Sequence, residues 1–301
     1  MQLMVTGAAG RLGVAVTRAA EARGWSVVPL DVAPAKPDRP RVHVVDLREP
    51  AGVADHMQGC DAVVHSGNHP NMWAMRDGRR LLLENTAMNV NTFETAVAAG
   101  VERVVFASSI QVMSGDRRFR DIDRPSIHPR LPLDHTAPAA PANPYAASKQ
   151  LAEDHLAYLC RRHASVRAVA LRFPWLWHAG EPGGYRYSLE RVEHLIARNK
   201  NGWPDEGIAS LSYGDAASLC LAAVEHAAPG FDVAAPTAEG MFEAGEGRAM
   251  AERMFPGIEL PADIETRTTF FENASITERF GWEPADRPVA WAPGVISNWA
   301  W

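Results

Sequence analysis

The eight residues Thr6–Gly13, TGAAGRLG, decide how the rest of the chain is read. They follow a short apolar run, QLMVT (2–6). They precede RLGVAVTRAAEARG (11–24), where Leu12, Val16 and Ala19 or Ala20 share one helical face and Gly24 is the stop. Gly7, Gly10 and Gly13 therefore stand in GxxGxxG spacing at a strand-to-helix turn. Gly7 permits the tight turn, and Gly10 lets backbone N–H groups approach a pyrophosphate. Gly13 lets the helix, opened by Arg11 and Leu12, pack close to the strand. The positive end of that helix then faces the anion. Three glycines alone are a weak signal. Their position between the first strand and the first helix gives them weight.

The same alternation continues outward. WSVVPLD (25–31) and VHVVDL (42–47) read as strands, with a short helix over 48–60 and a strand in DAVVHSG (61–67). A long helix is predicted over about 75–100, then the strand ERVVFASS (102–109), a helix over 144–163 and the strand VRAVALRF (166–173). Apolar strands alternating with helices predict an α/β fold, a Rossmann-type doubly wound parallel sheet. The expected NAD-binding domain is 1–173, with 207–236 returning to it. A smaller, discontinuous substrate lobe is expected from 174–206 and 237–301. The proline-rich connection 117–141 is longer than a compact domain requires, which marks it as functional or mobile. The tail WAPGVISNWAW (291–301) is too rich in tryptophan for a disordered end and is expected to pack on the lobe or on a partner subunit.

Asp31 ends the second strand, roughly eighteen residues after Gly13. A carboxylate there accepts hydrogen bonds from adenosine ribose hydroxyls and repels a 2′-phosphate, which favours NAD over NADP. Asp46 and Leu47, ending the third strand, are placed to flank the adenine.

NPYAASK (143–149) sets Tyr145 and Lys149 four residues apart, one turn apart on one helical face. A free tyrosine titrates near ~10, too high for a base at neutral pH. An ammonium one turn away is expected to lower that value, so that Tyr145 exchanges a proton with a substrate alcohol while the cofactor exchanges hydride. Lys149 can also hold the nicotinamide ribose. Ser109, ending VVFASS, would donate to the same substrate oxygen.

Composition excludes other classes. The chain has 301 residues, 47% hydrophobic and 22% charged, with a formal net charge of -6. There is no basic run for nucleic acid and no apolar run of the ~18 residues that span a membrane. The N-terminus enters a strand at once, so a cytoplasmic location is expected. Cys60, Cys160 and Cys220 are far apart and read as reduced small hydrophobes. His128 and His135 show no metal spacing, and no metal site is expected. His69, in GNHPNMW, is expected to be a solvent-exposed loop residue.

These motifs resemble the extended short-chain dehydrogenase/reductases, the NAD-dependent epimerase/dehydratase family. The resemblance runs from Gln2 to about Arg172 and resumes more weakly at LSYGDAASLCLAAVEHA and ITERFGWEPA. It implies Tyr145, Lys149 and Ser109 as the catalytic trio, with Asn89 on the long helix positioning the lysine through water. It implies that His65, Ser66 and Gly67 edge the cofactor, that Pro174 lies along the nicotinamide, and that a homodimer forms through the helices near 75–100 and 144–163.

The chain departs from nucleotide-sugar relatives in LRFPWLWHAGEP (171–182), where Trp175 replaces an asparagine that helps hold a diphosphate. PDEGIASLSYGD (204–215) also lacks the arginine that pairs with it. A dianion needs charge-assisted partners, so a nucleotide diphosphate is disfavoured. EPGGYR (181–186) is similar to the segment of uronate dehydrogenases in which an arginine binds a sugar carboxylate, which implies Arg186 as a substrate residue. Gln111, Trp175 and Trp177 complete the expected substrate contacts. The reading is an NAD-dependent oxidoreductase acting on a secondary alcohol or carbonyl of a small sugar or sugar acid. Alternatives are an epimerase with tightly bound NAD and a non-catalytic dinucleotide sensor. Dehydration is disfavoured because Ile110 and Gln111 stand where dehydratases carry an acidic pair.

Overall fold

In a computed structural model, residues 1–178, 184–198 and 202–290 are described. The strands β1 (Gln2–Thr6), β2 (Ser26–Asp31), β3 (His43–Val44), β4 (Ala62–His65), β5 (Arg103–Ser109), β6 (Arg167–Phe173) and β9 (Gly230–Ala234) form one sheet in the order β3-β2-β1-β4-β5-β6-β9. Every pairing in it is parallel. The strand order reverses beside β1, and a crevice opens there at the carboxyl ends.

Side-chain alternation explains why the strands are apolar on both sides. Leu3, Val5, Val64, Val105 and Val169 pack with Val16 and Ala20 of α1 (Arg11–Ala22) and Leu219 and Ala223 of α6 (Tyr213–His226). Their neighbours Met4, Val63, Val104, Phe106 and Ala168 face the other way. They meet Val53 of α2 (Pro50–Met57), Phe93 of α3 (Gly78–Ala98) and Leu156 of α4 (Pro144–Arg162). Two buried faces give two apolar clusters, one per helical layer. β3 is shorter than the strand read from VHVVDL, because both its residues are exposed and little burial rewards extension.

After Pro174 the chain starts a second, two-stranded sheet. β7 (Trp175–Trp177) pairs in parallel with β8 (Ser210–Ser212), which leads directly into α6. α5 (Leu189–Ala197), α7 (Gly247–Met254) and α8 (Ala274–Phe280) complete the described helices. The connection 117–141 is pinned rather than loose: isolated bridges join Arg130 to Glu259 and Leu133 to Phe271, and Ile122, Leu131 and Leu133 are buried. The expectation for the tail 291–301 lies outside the described residues. Among the described residues, no helix is long and apolar enough to cross a membrane.

Candidate active site

A cavity of about 1060 Å³ runs along the carboxyl ends of the strands. One end is backbone. Gly7 has φ +69°, and a Cβ there would sit 2.7 Å from the Ser66 carbonyl oxygen. A Cβ on Gly13 would lie 2.2 Å from the Gly7 oxygen, so only glycine lets α1 start this close to the loop. No side chain caps the first turn of α1. Arg11, Leu12, Gly10, Ser66 and Gly67 line the wall around it. Asp31 accepts the Ala9 N–H at 2.9 Å on one oxygen and the Ala33 N–H at 3.0 Å on the other. Each oxygen keeps a second lone pair for a further donor, and Asp31 lines the cavity. The glycine cradle, the uncapped helix start and this carboxylate fit a dinucleotide.

Asp46 and Leu47 also line this end, but the Asp46 carboxylate is held by Arg48. That side-chain hydrogen bond keeps its pKa below the usual value. Arg48 also pairs with Glu84 at 3.1 Å, and Glu84 takes Arg80 and His69 at 2.6 and 2.8 Å. The hydrogen bonds from Arg80 and His69 hold the Glu84 pKa down to about 2. His69 is thus half-buried, paired and on the cavity wall, contrary to the exposed loop position expected for it. Only the fold brings Arg48 and Glu84 together, so nothing local in the sequence announced this cluster.

At the centre of the cavity lie Ser109, Tyr145 and Lys149. Asn143 caps α4 through the Ala146 N–H, and Pro144 at the first position fixes where the helix starts and where Tyr145 points. Ser109 Oγ accepts the Gln111 N–H at 3.2 Å, and the Tyr145 side chain shares the cavity with it. Lys149 Nζ donates to Asn68 Oδ1 at 2.8 Å and to the Ala107 carbonyl at 2.7 Å, 4.6 Å from the Phe106 ring centre. Burial lowers its pKa to about 7, partly offset by the charge of Glu153. Glu153 is itself buried, paired with Arg172 at 2.9 Å and hydrogen-bonded by Ser108 at 2.6 Å.

Tyr145 departs from expectation. Burial pushes its pKa up to about 12; the Ser109 hydroxyl opposes that and the charge of Glu206 adds to it. The lysine does not lower it, because Nζ lies 5.5 Å from the ring centre and is committed to Asn68 and Ala107. Desolvation wins, and the group is a phenol in this cavity.

Asn89 and His65 act one layer below. Asn89 Oδ1 accepts from Asn68 Nδ2 at 2.9 Å, so the Asn68 side chain links Asn89 to Lys149. Asn68 was not anticipated; HSGN is an unremarkable loop until its amide is seen between two helices. His65 departs from expectation: it is fully buried and off the cavity wall. Its ring shares hydrogen bonds with Asn89 Oδ1 at 2.8 Å and Thr6 Oγ1 at 2.6 Å. Burial drives its pKa down to about 3 and keeps it neutral.

The other end is built from side chains. Pro174, Trp175 and Gln111 line the cavity, and Trp175 is 43% exposed. Trp177 does not line it. It is 3% exposed, donates from Nε1 to Ser210 Oγ at 3.2 Å, and packs on Gly184. Strand alternation puts Trp175 and Trp177 on one side of β7, but only Trp177 lies under cover. Arg186 is also off the cavity wall, because its guanidinium pairs with Glu243 at the surface. Arg191 of α5 lines the wall instead, stacked 4.0 Å from the Tyr187 ring centre. Tyr185, Tyr187, Trp203 and Glu206 complete this aromatic end. Among the described residues, no group of three or more potential ligands could hold a metal ion.

Residues 3–229 match the NAD dependent epimerase/dehydratase family. The chain belongs to that family. This epimerase/dehydratase-family protein is an NAD-dependent enzyme of the extended short-chain dehydrogenase type. It is 30% identical over 192 residues, 61% of this chain and 71% of the relative, to an NAD-dependent glucose-6-phosphate dehydrogenase of Haloferax volcanii. It is 29% identical over 235 residues, 76% of this chain and 84% of the relative, to an L-arabinose 1-dehydrogenase (NAD(P)(+)) of the same organism. A short-chain dehydrogenase/reductase superfamily protein of Agrobacterium tumefaciens, solved with bound NAD, superposes with a TM-score of 0.66. It is 22% identical, and the match covers 95% of this chain and 93% of that one. At that identity the likeness concerns the fold.

Proposed function

We propose that this protein is an NAD-dependent dehydrogenase of small sugars, in which Tyr145, Ser109 and Lys149 handle the reacting hydroxyl. The observation that carries the reading is that Tyr145, Ser109 and Lys149 line the same cavity as the glycine cradle, with the lysine held by fixed acceptors. Of the two relatives named above, one is named as a dehydrogenase of a free sugar, L-arabinose, and the other as a dehydrogenase of a sugar phosphate, glucose 6-phosphate.

The chemistry divides among few groups. NAD, bound in the glycine cradle, supplies the hydride acceptor. Ser109 holds the substrate oxygen against Tyr145 Oη. In oxidation the phenolate form of Tyr145 takes the hydroxyl proton and becomes the phenol, and in reduction the phenol gives its proton to the carbonyl oxygen. Lys149, donating to Asn68 and Ala107, offers its remaining N–H to a ribose hydroxyl when charged. Because Tyr145 is a phenol up to about pH 12 in this cavity, it is ready as an acid. Oxidation therefore speeds up as the pH rises and slows as it falls. A homodimer pairing α3 with α4 is part of the proposal, supported by the exposed Leu83, Val90, Leu151 and Tyr158 on those helices.

The test is turnover of NAD and NADP with aldoses, polyols, uronic acids and sugar phosphates. Tyr145→Phe is expected to cut kcat by ~100-fold or more, with NADH binding intact. Undiminished turnover in that variant would remove Tyr145 from the mechanism. Retained NAD with epimerised sugar and no net NADH would identify an epimerase instead.

A further inference from the structure

The substrate end of the cavity contains an acid that the mechanism above does not use. Glu206 closes a short 3-10 turn, Pro204–Glu206, packed against the turn Ile110–Met113 that follows Ser109. Its side chain lines the same cavity wall as Gln111. The Oε1 atom is sealed from solvent and has no partner. Burial pushes the pKa up to about 8 against the pull of Arg118 and Gln111. Gln111 is itself fixed, because its Oε1 accepts Asn143 Nδ2 at 3.1 Å at the start of α4.

The turn that presents this acid is built from distant pieces. Its neighbour Asp205 is fully buried and bound by Arg117 through Nε and Nη2 and by Ser126 Oγ at 2.7 Å. His128 Nε2 bonds the Asp205 backbone oxygen at 3.0 Å. The Phe119 N–H donates to Gly202 on the approach. Gly207 leaves the turn at φ +62°, where a Cβ would press 2.7 Å from the Phe271 ring. The long connection 117–141 thus acts as the clamp of this turn. Asp205 points into the clamp and Glu206 into the cavity.

Glu206 as a whole is only half-buried, so its side chain still reaches the cavity although Oε1 is sealed. A rigid, clamped mount is what a recognition group needs. Aromatic walls at Trp175, Tyr187 and Trp203 offer faces for an apolar ring surface, and Glu206 offers a polar contact in the cavity that also holds Tyr145. A carboxyl matches sugar hydroxyls, accepting from one and, when protonated, donating to another. A substrate carboxylate or phosphate brought to the same place would face a second acid, and one of the two would have to take up a proton. The arginine that would have argued for a sugar acid, Arg186, is paired with Glu243 elsewhere.

We infer that Glu206 is a specificity-determining substrate residue, which hydrogen-bonds a hydroxyl of a neutral sugar or polyol near the carbon oxidised beside Tyr145. The inference rests on the sugar dehydrogenase reading above. The experiment compares wild type, Glu206→Ala and Glu206→Gln, each saturated with NAD, on paired neutral sugars, uronic acids and sugar phosphates. Substrate binding is followed separately by tryptophan fluorescence. Glu206→Ala is expected to raise KM for the preferred neutral sugar about tenfold, equivalent to ~1.4 kcal/mol, with a smaller change in kcat and unchanged NADH affinity. Glu206→Gln, which keeps shape and hydrogen bonding, is expected to stay within a few-fold of wild type. If Glu206→Ala folds and keeps the wild-type KM, or if wild type prefers acidic over neutral sugars about tenfold, the inference is overturned while the sugar reading stands. If wild type neither binds nor oxidises any sugar, both fall.

Discussion

The two ends of one cavity are made in different ways. The cofactor end is a strand, a glycine turn and a helix start that are adjacent in sequence, and its contacts are mostly backbone. The substrate end is assembled from the turns at 110–113 and 204–206, β7 and α5, with the connection 117–141 bracing it from behind. The first is fixed by where a Cβ cannot go. The second is fixed by buried side-chain pairs, above all Arg117 with Asp205. Damage to one end should therefore leave the other working.

Gly13→Val is the severest way to probe that separation. A Cβ at Gly13 already meets the Gly7 oxygen at 2.2 Å, and the nearest atoms are backbone that cannot give way cheaply. NADH affinity, read by fluorescence titration, is expected to fall by ~1000-fold or more, equivalent to ~4 kcal/mol. Retained affinity would mean the loop is softer than its glycines suggest.

Arg117→Leu probes the other end. It strands Asp205 as an unpaired buried charge, a change that typically costs ~3–5 kcal/mol. Denaturant midpoints should fall accordingly. The sugar KM should rise as the 204–206 turn loosens, with NADH affinity unchanged. Equal losses in both ligands would show that the two ends are mechanically one.

The contrast also explains what the sequence made legible. GxxGxxG, Asp31 and YxxxK are local patterns whose spacing carries their geometry, and the sheet order follows from alternating strands and helices. Residues 60–100 apart carry no such mark. Asn68 is visible as the link between Asn89 and Lys149 only once β4 and α4 are side by side. The Asp205–Arg117 clamp spans 88 residues. His65 was misplaced because lying at a strand end does not say which face its ring takes; in the fold it meets Phe93 and Phe106, away from the cavity. Trp177 was misplaced because alternation gives its side of β7 but not what covers it. The expected lysine effect on Tyr145 failed because helical spacing brings two groups near but does not weigh their burial.

His65 gives a smaller, pH-dependent test of the layer beneath both ends. In the folded protein it stays neutral down to about pH 3, held there by burial. Unfolded, it takes up a proton near ~6.5. Between those values the unfolded state binds the additional proton, so stability falls as the pH drops, by up to ~1.4 kcal/mol per pH unit. Urea midpoints measured from neutral pH downward should show this slope, and His65→Gln should flatten it. An unchanged slope would mean that carboxylates alone set the acid limit.

The smallest effect expected is at Arg186, and it separates structural from sequence reasoning at the substrate end. The EPGGYR resemblance gives the substrate arginine to Arg186, whereas the fold pairs Arg186 with Glu243 at the surface and puts Arg191 on the wall. Arg191 is held there by its stack on Tyr187 and by Nη1 bonds of 3.3 Å to the Tyr185 and Arg186 backbone oxygens. An exposed ion pair is worth ~0–1 kcal/mol. Arg186→Ala should therefore change stability and the sugar KM little, while Arg191→Ala should raise KM more, because it removes a cation and a stacked plane from the wall itself. The two variants assayed side by side on a neutral sugar and its uronic acid decide the point. A large KM increase in Arg186→Ala confined to the uronic acid would mean that this segment turns inward with substrate, and that the aromatic end takes an acid after all.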